Sequence, residues 1–185
     1  MRFAISVLVL GLLASCTAPS APTADLWSAL ESLCGQAFEG KVIEGTEASD
    51  EAMRTSRLVM HVRSCTADEL RVPFHVGENR SRTWVITRTS DGLRLKHDHR
   101  HEDGRPDEVT QYGGDSRGDG RSLSVEFPAD QLTANLLPAA ASNIWTMSVE
   151  PGKTFTYALR REGTPRRFSA QFDLSRPVEA PPAPW

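Results

Sequence analysis

Ten short segments of this chain read as strands, several with a clear alternation of apolar and polar residues, and turn-forming residues separate most of them. They are Ala37–Glu44, Arg57–Ser64, Leu70–Val76, Arg82–Thr89, Leu93–His101, Glu108–Tyr112, Ser122–Phe127, Asn143–Glu150, Thr154–Arg161 and Arg167–Leu174. A period of two sends successive side chains to opposite faces of a strand. Val72, Phe74 and Val76 thus oppose Arg71 and His75, while Phe155, Tyr157 and Leu159 oppose Thr154, Thr156 and Arg160. The connections, such as Gly77-Glu78-Asn79, Ser90-Asp91-Gly92, Gly113 to Gly120, Pro151-Gly152 and Glu162-Gly163, suit tight reversals. One buried face and one wet face, repeated with short hairpins, predict an all-β antiparallel meander. A sheet of ten strands left open would curl and expose two unpaired edges, so closure into an up-and-down barrel is expected first, with a curved open sheet or a sandwich as the alternative. Three stretches carry a helical period instead: Asp25–Leu33, stopped by Gly35; Ala129–Leu137, stopped by Pro138 and placed before the last three strands; and, more weakly, Glu47–Arg54.

The N-terminus belongs to a different class of signal. Arg2 supplies a positive charge, and Phe3–Leu13 is an almost unbroken apolar run, too short to span a bilayer but suited to an export signal. Leu13-Ala14-Ser15-Cys16 resembles the lipobox of bacterial lipoproteins. That resemblance implies a signal peptide over residues 1–15, cleavage before Cys16, lipid on its thiol and attachment to the cell envelope. Thr17, where retention in the inner membrane would place an Asp, resembles lipoproteins sent to the outer membrane, here facing the periplasm. Residues 16–24, with Pro19 and Pro22, then read as a lipidated tether, residues 25–176 as a single barrel domain, and residues 177–185 as a Pro-rich C-terminal tail. Removing the signal takes away only Arg2 among the charged side chains and leaves a net charge of about −4. This mild balance argues against nucleic acid as a partner. Once Cys16 carries lipid, Cys34 and Cys65 remain in an oxidising compartment, where a disulfide between them is expected. If the first two strands are antiparallel neighbours, the start of one lies beside the end of the other, which brings these two cysteines together.

A meander of this length with helices near one end resembles the calycin architecture of lipocalins and fatty-acid-binding proteins over about residues 35–175, with Gly35-Gln36-Ala37 in place of the lipocalin Gly-x-Trp. Ser81–Trp84, Gly92–Gly104 and Pro151–Arg161 also resemble segments of exported bacterial proteins. The calycin resemblance implies a barrel that encloses a small ligand.

The densest chemical signal is Lys96-His97-Asp98-His99-Arg100-His101-Glu102-Asp103. On a strand, His97, His99 and His101 share the face of Leu93 and Leu95, roughly 6.5–7 Å apart. Such a row could ligate zinc, completed by Glu102, Asp103, His61 or His75, although His61 and His75 alternate away from the core. Trp84 and Trp145 read as core. Arg160, Arg161, Arg166 and Arg167 form a basic hairpin end of the kind usually solvated. Arg117-Gly118-Asp119 is a three-residue match to an adhesion motif in a glycine-rich turn, and Asp115 and Asp119 lack the spacing of a calcium loop. No nucleophile elbow, phosphate loop or zinc-protease helix occurs, so the sequence offers no catalytic residue and no cofactor beyond the conjectural zinc. The leading expectation is a lipid-anchored binding module holding a small apolar ligand. The alternative is an envelope structural or assembly lipoprotein acting through protein contacts, and the third reading is a metal-binding protein built on the histidine row.

Overall fold

In a computed structural model, which describes residues 25–185, the meander rolls into a nearly closed antiparallel barrel. Its strands are β1 (Ala37–Gly45), β2 (Leu58–His61), β3 (Ser64–Cys65), β4 (Glu69–Val76), β5 (Asn79–Arg88), β6 (Leu93–His99), β7 (Tyr112–Asp115), β8 (Ser124–Pro128), β9 (Asn143–Glu150), β10 (Thr154–Arg161) and β11 (Arg167–Val178). Hydrogen-bonded neighbours run β7-β6-β5-β4-β2-β1-β11-β10-β9-β8, and β3 is a short addition beside β4. Only β1–β11 joins strands remote in the chain; the other neighbours on this path follow one another closely in sequence. The expected strand over Arg57–Ser64 is broken at Val62–Arg63, where the register against β4 slips by one residue between Met60↔Phe74 and Ser64↔Arg71. Residues 1–24, where the signal peptide, the lipidated Cys16 and the tether are expected, lie outside the described residues.

Strands β7 and β8 form the seam. Arg117 N donates to Glu126 O at 2.8 Å and Asp130 N donates to Gly113 O at 2.9 Å, in one common antiparallel register. The expected strand at Glu108–Tyr112 is corrected here. Gln111 takes a left-handed φ of 59° that interrupts it, and the ladder begins at Tyr112 and runs through Gly113-Gly114, which the sequence presents as turn residues. Those glycines are needed for close approach. A Cβ on Gly113 would meet the Leu95 carbonyl, and one on Gly114 would meet the Pro128 carbonyl.

Helix α1 (Leu26–Glu31) starts at Asp25, whose carboxylate accepts from Ser28 N at 2.7 Å, and the chain turns back at Gly35 with φ 83°. It plugs one end of the barrel with Leu26, Trp27 and Leu30, all buried, and the Arg88 guanidinium lies 4.3 Å from the Trp27 ring centroid. At about 1.5–3 kcal/mol for each fully buried side chain, these contacts hold the plug in place. The Cys34–Cys65 disulfide forms directly after it and ties the plug end of β1 to β3. At the opposite end, a 3-10 turn at Ala48–Asp50 leads into α2 (Glu51–Arg54). There α3 (Gln131–Leu136) runs into a second 3-10 turn at Pro138–Ala140.

Two expectations about the outer face need correction. His61 and His75 do alternate outward, yet both are buried. Residues 179–182 run over the outer face beside Val59 and His75. The Pro-rich segment is held there by Arg80, whose Nη1 donates to Ala183 O at 3.1 Å and whose carbonyl accepts from Trp185 N at 3.3 Å. The first residues assigned to that segment, Pro177 and Val178, extend β11 against Phe38 and Ala37.

Candidate functional site

The inner faces of the strands turn from aliphatic near the plug to aromatic and polar at the far end. Along β6 the sequence Leu93, Leu95, His97, His99 makes this change on one face, as its alternation predicts. The corresponding inward positions on the neighbouring strands are Trp84 and Arg82 on β5, Trp145 on β9, and Tyr157, Leu159 and Arg161 on β10. Between them lies a cavity of about 320 Å³, roofed by Asp50, Met53, Leu137, Ala139 and Ala140. A larger depression of about 690 Å³ lies on the outer wall over Gly40, between Lys41 and Lys153. The interior cavity is the candidate site because buried aromatic walls and convergent polar groups meet there.

Its walls are preorganised by stacking and hydrogen bonds. Trp84 stacks on Phe74 at 4.8 Å and on Tyr157 at 4.5 Å, and His97 stacks on Tyr112 at 4.5 Å and contacts Trp145 at 5.1 Å. His97 Nδ1 donates to the Tyr112 carbonyl at 3.1 Å, which leaves Nε2 to accept from the Tyr157 hydroxyl at 2.8 Å. Burial drives the His97 pKa down to about 3 and that of His99 to about 4, so both rings are neutral at pH 7. Burial likewise pushes the Tyr112 hydroxyl up to about 12 and raises that of Tyr157 well above its ordinary value. Tyr112 Oη and His99 Nε2 are hydrogen-bonded at 3.1 Å.

The roof is pinned by charge. Arg166 donates to both carboxylate oxygens of Asp50, at 2.5 and 2.7 Å. Burial alone would raise the Asp50 carboxyl, but the Arg166 guanidinium and the backbone amides of Glu47 and Thr46 together hold that pKa below the ordinary value. Asp130 caps α3 through Thr133 N at 2.8 Å and pairs with Lys96 at 2.5 Å, and the Thr133 hydroxyl bridges to Gly113. Arg166 is therefore a buried structural cation, with its side chain 10% exposed, rather than part of a solvated basic end. Arg161 donates to Asn143 Oδ1 at 2.9 Å at the cavity rim.

The three-histidine row does not assemble. β6 ends at His99, and His101 opens a turn in which its carbonyl accepts from Gly104 N at 2.9 Å and its amide donates to Arg105 O at 2.9 Å. His101 lies instead beside Asp107 and Glu108 on the outside, and both ring nitrogens of His97 already have protein partners. The zinc reading thus loses its geometry at two of its three positions. Trp84 and Trp145 are core residues, as expected, and also cavity walls. Sequence reasoning missed Arg82 and the roof, although Arg82 shares the inward parity of Trp84 and Ile86, a legible signal. No protein family, curated protein or solved structure matches the chain.

Proposed function

We propose that this protein is a binding module that takes a small ligand into the open end of its barrel, and that it is held in the bacterial envelope by lipid on Cys16. The cavity of about 320 Å³, lined by stacked aromatic rings and roofed by short helices, carries the reading. A barrel whose business was only to present an outer surface would fill this space with side chains, as the plug end does. The tyrosine hydroxyl oxygens can still accept from a guest and orient it, and the rings supply apolar contact. Asp25, the first described residue, sits at the plugged end, so a tether arriving there would leave the cavity mouth facing away from the membrane.

Calorimetric titration with 2-naphthol, a flat neutral probe of suitable size, should give saturable one-to-one binding. Ala140 is buried in the roof, and Ala140→Trp should fill the cavity and weaken that binding by about tenfold or more. Equal binding by the filled variant would place the probe elsewhere and remove the basis for this function. The anchor is tested separately by palmitate labelling in a bacterial host. Cys16→Ser should abolish the label and leave the precursor uncut, whereas undiminished labelling would rule out the lipobox assignment.

A further inference from the structure

The charge of the cavity wall is unusual for a chain of net charge −3. It holds three guanidinium groups, Arg82, Arg161 and Arg166, against one carboxylate, Asp50. Arg166 is neutralised by Asp50, and Arg161 lies 3.9 Å from Glu47 besides its bond to Asn143. Arg82 differs from both. Its Nη1 donates to the neutral Asn79 Oδ1 at 3.1 Å, and among the described residues no carboxylate lies within ion-pair distance of it. On the inner face its ladder neighbours are Phe74 and His99, and His99 is neutral at pH 7. Burial lowers the Arg82 pKa from its ordinary value, yet an arginine keeps its proton throughout the physiological range. Arg82 is half-buried, and a cation drawn partly out of water without a counter-charge is left with an unmet preference for an anion.

We propose that the cavity's ligand is a small organic carboxylate, with its head on the Arg82 guanidinium and its apolar body against Trp84, Trp145 and Tyr157. This deepens the binding-module reading and rests on it. A planar guanidinium fork matches a planar carboxylate through two parallel hydrogen bonds. At about 30 Å³ for each water-sized group, the cavity has room for roughly ten non-hydrogen atoms, the size of a phenyl-substituted short-chain acid. The histidines and tyrosines of the wall are neutral at pH 7, so Arg82 alone carries the preference for an anion.

The test titrates the whole protein with 3-phenylpropanoate, with 3-phenylpropan-1-ol, which lacks only the charged head, and with inorganic phosphate, which lacks the body. The acid should bind about ten- to a hundredfold more tightly than the alcohol. Arg82→Gln should remove most of that difference by weakening the acid, while Arg82→Lys should restore part of it. Phosphate should not displace the acid at equal concentration. Equal affinities of acid and alcohol for the unaltered protein would overturn the carboxylate assignment and leave the cavity reading intact. Phosphate that competes as an equal would replace the organic acid with a bare oxyanion and overturn it too. If neither aromatic probe binds, the binding-module reading fails and takes this proposal with it. Should Arg82→Gln unfold, the acid-to-alcohol ratio of the unaltered protein still decides.

Discussion

Acidification from pH 7 to pH 5 is expected to destabilise this protein by on the order of 5 kcal/mol, well before its carboxylates protonate. Burial holds His75 at about 4, His97 at about 3 and His99 at about 4, and it lowers His61 as well. In the unfolded chain each would titrate near 6.5. Between these values the unfolded state binds the proton and the folded state does not. The histidine contribution is therefore fully present above pH 6.5, falls as pH drops through 6.5, and levels off near pH 3–4 where the folded rings also charge. Each of the three contributes about 2 kcal/mol between pH 7 and 5, a large share of the roughly 5–15 kcal/mol that holds a typical domain. Urea melts at pH 7, 6 and 5 measure the slope directly, and His75→Asn, away from the cavity, should reduce it by about a third. Equal midpoints at pH 7 and pH 5 would show that the buried rings are protonated in the fold, and the hydrogen-bond assignment at His97 would fall with them.

Replacing Cys34 and Cys65 together by alanine should lower the unfolding free energy by about 3–4 kcal/mol. The bond closes a loop with a sequence separation of 31, and its loss frees the unfolded chain while the folded state keeps its other contacts. Its position sharpens the expectation. Cys34 follows the helix that plugs the barrel, and Cys65 packs against the core at the point where the chain leaves β2 for β3. Without the bond, α1 should fray first, and hydrogen exchange at Leu30 and Leu33 should rise before exchange in β9 and β10. The cavity lies at the other end, so 2-naphthol binding should persist in the folded fraction. A urea midpoint unchanged by the double substitution would mean that the bond contributes nothing to stability.

Where neighbouring strands are joined by short hairpins, the elements were readable in detail. Asn143–Glu150 and Thr154–Arg161 occur with the boundaries their alternation predicts, because each pairs with its chain neighbour and one face of each is buried. The disulfide was readable for the same reason, since β1 and β2 are adjacent. Misreadings occur where non-local contacts govern. Gly113-Gly114 looks like a turn until the Pro128 carbonyl is placed beside it, and His75 looks solvated until residues 179–182 are laid beside it. The histidine row failed at His101 because a turn, rather than the strand, claims that residue's backbone hydrogen bonds.

Alternation and turn chemistry by themselves determined that this chain forms an antiparallel barrel and which side chains face inward, because both act between residues close in sequence. Whether that interior is hollow, which arginine lacks a counter-charge and which tautomer His97 adopts were decided only by tertiary structure. Each depends on groups brought together from distant strands. Arg166 is neutralised because Asp50 meets it across the mouth, and His97 takes its tautomer because a carbonyl on β7 and a hydroxyl on β10 bracket the ring. Arg82 is left free because the closed barrel sets Phe74 and His99 beside it and no carboxylate among the described residues. Volume and charge balance at the barrel mouth are sums over residues far apart in the chain, and no local period encodes such a sum.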